Sequence, residues 1–172
     1  MHERKTSFPP IVGGLPKVLI LGSIPGEASL KRQQYYGHRR NAFWPIMMTL
    51  LRLPPDSSYG ERTEALIAHG IALWDVIAEC ERKGSLDTAI QSPSIRTNDI
   101  AGLFARFPSI AVIAFNGGTA EREYRKRIAC RLSPEHRSRP TMRLPSTSPA
   151  YASMSIADKT AVWLAMLERC LV

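Results

Sequence analysis

An α/β fold is predicted, a three-layer sandwich in which a central, mainly parallel four-stranded sheet is covered by helices on both faces. Three observations predict it. Four short apolar runs recur through the chain, segments with helical apolar spacing lie between them, and proline or glycine stands at the junctions.

The first run, Val18 to Leu21, reads as a buried strand and opens into the turn Gly22-Ser23-Ile24-Pro25-Gly26, after which Glu27 to Gln34 can start a helix. Ala42 to Leu53 has helical period and is stopped by Pro54 and Pro55. Glu61 to His69 follows as a helix, closed by Gly70 ahead of the second strand, Ile71 to Trp74. Asn98 to Phe107 is a third long helix, and Pro108 separates it from the strand Ile110 to Phe115. Thr119 to Cys130 then reads as helix, Met142 to Leu144 as the last strand and Ile156 to Leu171 as the last helix. Lys83 to Thr97 and Ser133 to Pro140 read as loops. Residues 1–14, with Pro9 and Pro10 near their end, read as an arm with little packing of its own.

At 172 residues with 44% hydrophobic content the chain is expected to form one domain, 1–172, around one core. The formal charge of +8 fits a polyanionic partner, since Lys and Arg gain affinity for phosphate backbones by releasing counterions; a soluble protein that is merely basic fits equally. Cys80, Cys130 and Cys170 are an odd number without metal-ligand spacing, which argues against a disulfide framework or an iron–sulfur cluster. With no signal-like or membrane-spanning apolar run, a reducing, cytoplasmic setting is the default.

The turn after the first strand is neither a Walker loop nor a dinucleotide fingerprint, and alone it is a weak signal. Its downstream neighbours strengthen it. Gly-x-x-Pro-Gly leads to Tyr36, ten residues beyond Gly26, and then to Asn41-Ala42-Phe43-Trp44. This combination and spacing resembles the uracil-DNA glycosylase superfamily. Leu73-Trp74-Asp75-Val76 falls where relatives present a base-recognising polar side chain, usually Asn. Leu144-Pro145-Ser146-Thr147-Ser148-Pro149 looks like the loop that enters the minor groove and pinches the backbone.

Three departures point to a branch. Mismatch-specific relatives carry a catalytic Asn where this chain has Ile24, and another branch uses an acidic residue where it has Ser23; Leu144 replaces the His or Asn that precedes Pro-Ser. This combination is similar to the hypoxanthine-DNA glycosylase branch, in which the Asn of Asn-x-Phe-Trp is thought to supply the missing function. The resemblance implies a monofunctional, water-using enzyme needing no metal or cofactor, a DNA partner in duplex or single strand, no membrane, and a monomer.

It also implies roles. Asn41 would hold the attacking water through its carbonyl oxygen with its amide group anchored elsewhere; the alternative is a plain helix cap. Ser23 is a candidate donor to the leaving base. Tyr36 would stack on the extruded base, with Ile24 and Phe43 also against it, although Phe43 and Trp44 fit equally a pocket wall or plain core. Asp75 would read a base edge or cap a helix. His38, Arg39, Arg40, Ser146, Thr147, Ser148 and Pro149 would contact DNA. Further basic residues, Lys31 and Arg32 near the first motif and Arg122 to Arg143 before the last, are expected on the same face. Asn116-Gly117-Gly118 reads as a structural turn. Three other readings stand beside hypoxanthine excision: a uracil or mismatch-directed glycosylase, a non-catalytic nucleic-acid-binding module on the same fold, and a flavodoxin-like enzyme that binds phosphate at the first turn.

Overall fold

The computed structural model describes residues 3–171. Its strands are β1 (Glu3–Thr6), β2 (Val18–Gly22), β3 (Ile71–Asp75), β4 (Ile77–Arg82), β5 (Arg96–Thr97), β6 (Val112–Asn116) and β7 (Thr141–Leu144). Its α-helices are α1 (Glu27–Arg32), α2 (Phe43–Leu50), α3 (Tyr59–Ala68), α4 (Ile100–Arg106), α5 (Gly118–Arg127), α6 (Pro134–Arg137) and α7 (Ile156–Leu171).

The predicted central sheet is present in the order β3-β2-β6-β7, and every pairing in it is parallel. Val18 to Leu21 and Ile71 to Leu73 are wholly buried, as strands covered on both faces must be. Helix starts follow local chemistry. Ser58 accepts from the Glu61 amide while Glu61 accepts from the Ser58 amide, so α3 begins two residues before the predicted Glu61. Asp99 caps α4 through the Gly102 amide. α2 ends earlier than predicted, where Arg52 turns left-handed at φ 53° ahead of the two prolines.

A second sheet, β1-β4-β5, was not predicted. β4 pairs antiparallel with β1 on one side and β5 on the other, converting parts of the expected amino-terminal arm and of the expected Lys83–Thr97 loop into strands. The arm reading is therefore corrected within the described residues; residues 1 and 2 lie outside them, as does Val172. Ile11 also bridges Leu73, and the Tyr35 hydroxyl donates to the Pro9 carbonyl. The burial signal was weak because β4 alternates apolar and charged residues, Ile77-Ala-Glu-Cys-Glu-Arg82, and its partner β1 is Glu-Arg-Lys-Thr.

β4 continues almost directly from β3. The Val76 and Ile77 amides donate to the Gly22 and Ser23 carbonyls before the strand leaves for the small sheet. It ends at Arg82, whose side chain is fully buried. The guanidinium donates to the carbonyls of Pro25 at 2.5 Å and Gly84 at 3.0 Å and stands 3.7 Å from the Asp87 carboxylate. This one cation joins the turn after β2 to the loop after β4.

Arg82→Met is expected to lower unfolding free energy by about 3 kcal/mol, because it strands two carbonyls and a carboxylate that the guanidinium serves. Urea denaturation measures it. A loss below about 1 kcal/mol, the range of an ordinary surface change, would contradict this structural role.

Candidate active site

A cleft of about 670 Å³ opens at the carboxyl ends of the parallel strands, where their loops diverge. Gly22, at the end of β2, lies opposite Asp75 at the end of β3. A Cβ on residue 22 would stand 2.6 Å from Asp75 Oδ1 and 2.8 Å from the Tyr36 hydroxyl. Only glycine leaves room for both groups to close over the main chain.

Asp75 is 4% exposed, lines the cleft, and its Oδ2 has no hydrogen-bond partner. Burial, and then the charge of Asp87, push its carboxyl up to about 8 against the opposing pull of Arg82. It is therefore mostly a neutral acid near pH 7, able to donate as well as accept. Its backbone carbonyl, not its side chain, serves the neighbouring structure by accepting from Asn98 Nδ2 at 2.8 Å. The helix-cap alternative for Asp75 falls away, since the cap of α4 is Asp99.

Tyr36 adopts a left-handed backbone at φ 53°, a conformation that costs a non-glycine residue about 1–2 kcal/mol. The Gly37 amide donating to Ser29 Oγ and the Tyr35 amide donating to the Tyr59 hydroxyl hold it there. Tyr35 is buried in the core at the edge of the cleft, and Tyr36 lines the cleft beside it. The Tyr36 ring stacks on Phe43 with centroids 4.0 Å apart, and its buried hydroxyl has no partner and is held protonated by burial and by Asp75. Phe43, expected against the base, is fully buried and does not line the cleft; it is the platform beneath Tyr36. Trp44 is core, its indole donating to the Tyr35 carbonyl.

Asn41 lines the cleft one residue before Ala42, the N-cap of α2, and its Oδ1 accepts from the Phe43 amide at 2.9 Å. The anchoring is the reverse of that expected: the oxygen is fixed at the helix start, and the amide nitrogen is the free half. One lone pair of Oδ1 remains for a water hydrogen.

Ser23 does not offer its hydroxyl to a leaving base. Its Oγ donates to Asp87 Oδ1 at 3.0 Å. Asp87 comes from the loop after β4 and lines the same cleft, as does Ile24. Sequence reasoning missed Asp87 because nothing local distinguishes Gly84-Ser-Leu-Asp87 from a polar turn; only the course of β4 brings it to Ser23.

The late loop divides. Thr147, expected to contact DNA, is 1% exposed and is a structural hub: its amide donates to Asn116 Oδ1, its Oγ1 accepts from Asn116 Nδ2, and its carbonyl accepts from the Ala42 amide. Asn116 thus has a structural task, as the turn reading anticipated. Gly117 at φ 93° lets this turn pass Ser146, whose Cβ lies only 3.0 Å from where a Cβ on residue 117 would be. Ser146, Ser148 and Pro149 line the cleft, and the buried Thr147 borders it between them. The segment is braced from behind by α7, where Lys159 Nζ donates to the Tyr151 carbonyl at 2.6 Å and Trp163 Nε1 to that of Pro145.

The positive charge also divides. Arg39 and Arg40 are exposed, and with Arg32 and His38 they line a shallow groove beside the cleft. His38 Nδ1 accepts from the Arg40 amide, which places the proton of the neutral ring on Nε2. Of the later arginines only Arg122 and Arg143 line the cleft, each also paired with a glutamate, Glu123 and Glu121; Arg125 and Arg127 pair with the same two glutamates, and Arg139 donates to the Ile110 carbonyl and covers Phe104. Among the described residues no cluster of His, Cys, Asp or Glu could hold a metal ion, and no helix is long and apolar enough to cross a membrane.

Comparison with known proteins places this geometry. The sequence model of the uracil DNA glycosylase superfamily matches residues 10–167. The hypoxanthine DNA glycosylase of Methanosarcina barkeri is 37% identical over 115 residues, 66% of this chain and 72% of that protein. Its counterpart in Methanosarcina acetivorans is 36% identical over 117 residues, 67% of this chain and 73% of that protein. A solution NMR structure from Methanosarcina acetivorans, provisionally assigned as a uracil DNA glycosylase, superposes with a TM-score of 0.75 at 31% identity, covering 96% of this chain and 99% of that one.

Gly22→Ala tests the closed end of the cleft. The added methyl must push Asp75 or Tyr36 aside, so a well-folded variant is expected to lose on the order of 100-fold in single-turnover base release, the penalty of a displacement near 1 Å. Unchanged turnover would show that the two side chains are not part of the reacting site.

Proposed function

We propose that this chain, which belongs to the uracil DNA glycosylase superfamily and hydrolyses N-glycosyl bonds of DNA, has hypoxanthine as its principal base. The observation that carries the reading is Asp75, a buried carboxyl with a free oxygen at the end of the cleft. A neutral carboxylic acid matches a lactam edge: its O–H donates to the 6-oxo group of hypoxanthine and its carbonyl oxygen accepts from the ring N1–H. Hypoxanthine has that edge and adenine does not. The two hypoxanthine DNA glycosylases matched over about two thirds of this chain support the same choice. Normal guanine carries the lactam too, but a full base pair holds it in the duplex, whereas a poorly paired inosine is extruded at lower cost.

In this reading the extruded base lies against Tyr36, a contact that contributes roughly 1–3 kcal/mol for an aromatic platform. Phe43 beneath it and the fixed backbone at Tyr36 keep the platform from moving. Bond cleavage develops an oxocarbenium-like sugar and a base anion, so a rigid polar pocket lowers the barrier by meeting charge as it forms. The Asp75 hydrogen bond to the 6-oxo group draws negative charge away from the breaking bond. Asn41, immobilised at the start of α2, holds the attacking water. His38, Arg39, Arg40, Arg122 and Arg143, with Ser146, Ser148 and Pro149, surround the opening and hold the flanking phosphates.

Single-turnover cleavage of duplexes carrying inosine, uracil, xanthine or mismatched thymine, with alkali to reveal abasic sites, tests the base assignment. Inosine is expected to react fastest; faster uracil release would move the preference to that base, which presents the same lactam edge. Asn41→Ala is expected to lose on the order of 100-fold in rate with duplex binding retained.

The pH profile tests Asp75. The neutral acid is the active form, so activity is expected to fall as pH rises through about 8. Asp75→Asn keeps a donor and an acceptor without an ionisable group. It should retain excision and lose that alkaline limb, while Asp75→Ala should lose excision. An alkaline limb that persists in Asp75→Asn would assign it to another group.

A further inference from the structure

We propose that Asp87 is a second catalytic group of this cleft, a carboxylate that accepts the proton of the attacking water and faces the positive charge developing on the sugar. The proposal rests on the glycosylase reading of the site and adds to it a base, which Asn41 cannot be.

Among the described residues two carboxyl groups line the cleft, Asp75 and Asp87. Their surroundings drive them apart. Asp75 is buried with no cationic or hydroxyl donor bonded to its side chain, and an adjacent anion discourages its charge. Asp87 is also raised by burial, but four groups oppose that rise: the Ser23 hydroxyl, the Arg82 guanidinium, the Thr119 hydroxyl and Arg122. Burial raises both carboxyls, but Asp87 alone has hydroxyl donors that favour its charged form, which makes it the better suited of the two to act as base.

The geometry fits a working group better than a counter-ion for Arg82. The Arg82 hydrogen bonds go to the Pro25 and Gly84 carbonyls, and its 3.7 Å approach to Asp87 is longer than either. The Asp87 side chain is one-third exposed, at 33%, although the arginine beside it is fully enclosed. The residue is nevertheless held in place. Ser23 Oγ fixes Oδ1 from the turn after β2, and the loop is tied to α1 where the Glu27 amide donates to Ser85 Oγ at 2.9 Å. A positioned carboxylate with one oxygen fixed and one face open to the cleft is what a general base requires.

The step balances without another reactant. The C1′–N9 bond breaks and its electron pair leaves with hypoxanthine. Water oxygen bonds to C1′ and gives one proton to Asp87, leaving a hydroxyl on the sugar. The base anion takes a proton from solvent and Asp87 returns its own, so one water is divided between sugar and base. Ser23 is a positioning residue in this scheme, acting only through the carboxylate.

The test is single-turnover cleavage at saturating DNA, using whichever of inosine or uracil duplex the wild-type protein cleaves. Asp87→Asn keeps the size and the bond from Ser23 but removes the base. In the folded variant it should lower the rate by on the order of 10²–10⁴-fold, the usual contribution of a general base, with duplex affinity close to wild type. A folded Asp87→Asn variant within about threefold of wild type would overturn the proposal and leave Asp87 as an anchor for Arg82.

Ser23→Ala supplies the reading if Asp87→Asn does not fold. Loss of its hydrogen bond raises the Asp87 carboxyl further, so the acid limb of the pH–rate profile should move to higher pH. The other charged groups facing Asp87 are Asp75 from β3, Arg82 from β4 and Arg122 from α5, and Ser23→Ala touches none of them. An unmoved acid limb would overturn the proposal. Preference for uracil over inosine would overturn only the base assignment.

Discussion

The cleft depends on a fully buried guanidinium. Arg82 ties the turn after β2 to the loop after β4 from beneath, alongside the Ser23–Asp87 and Glu27–Ser85 hydrogen bonds, although neither segment contributes to the other's sheet. The parallel sheet delivers Gly22, Asp75 and Asn116 to one end by strand register alone. Ser23 and Asp87 are bonded directly, and a single cation steadies their junction by satisfying the Pro25 and Gly84 carbonyls and standing beside the carboxylate. Enclosing that charge is costly, and the compensation is specificity of position: three chain segments have one arrangement that satisfies it.

A second tether works at the opposite wall. Thr147 uses its amide, carbonyl and hydroxyl on Asn116 and Ala42, so the ends of β6 and β7 and the start of α2 are one unit. Asn41 sits one residue before Ala42 and inherits that rigidity. The buried tethers therefore lie one step behind the side chains that line the cleft. This is the arrangement by which a site keeps its polar groups oriented before a substrate arrives.

The central sheet, its order of elements and the long helices were legible because period and breakers report burial directly: Val18 to Leu21 could be nothing but an enclosed strand. The small sheet was not, since β1 and β4 carry charged residues through their length, β4 even though it is the central strand, and a strand recognised by its partner leaves little trace in its own residues. The site was legible where spacing carried chemistry, as at Gly22, Tyr36, Asn41 and Asp75. It was misleading where a motif residue turned inward. Phe43 and Thr147 stand in the right segments, yet one is the underside of Tyr36 and the other a hydrogen-bond hub. Asp87 was illegible because its position is set by a contact 64 residues away in sequence.

Ile24 and Ser23, read as departures from the relatives' catalytic positions, look different in three dimensions. The turn has lost an ionisable side chain, but its serine hydroxyl receives a carboxylate from another loop, and Asn41 is frozen by its own helix. In the proposed reaction, chemistry that one residue could perform is distributed over three segments whose relative positions are set by buried bonds. That division would separate recognition from water activation, because burial suppresses the charge of Asp75 while Asp87 keeps donors that favour its charged form. In that scheme the hydrogen bond from Ser23 at 3.0 Å opposes the upward push of burial on the Asp87 carboxyl, and so works against loss of the base as pH falls.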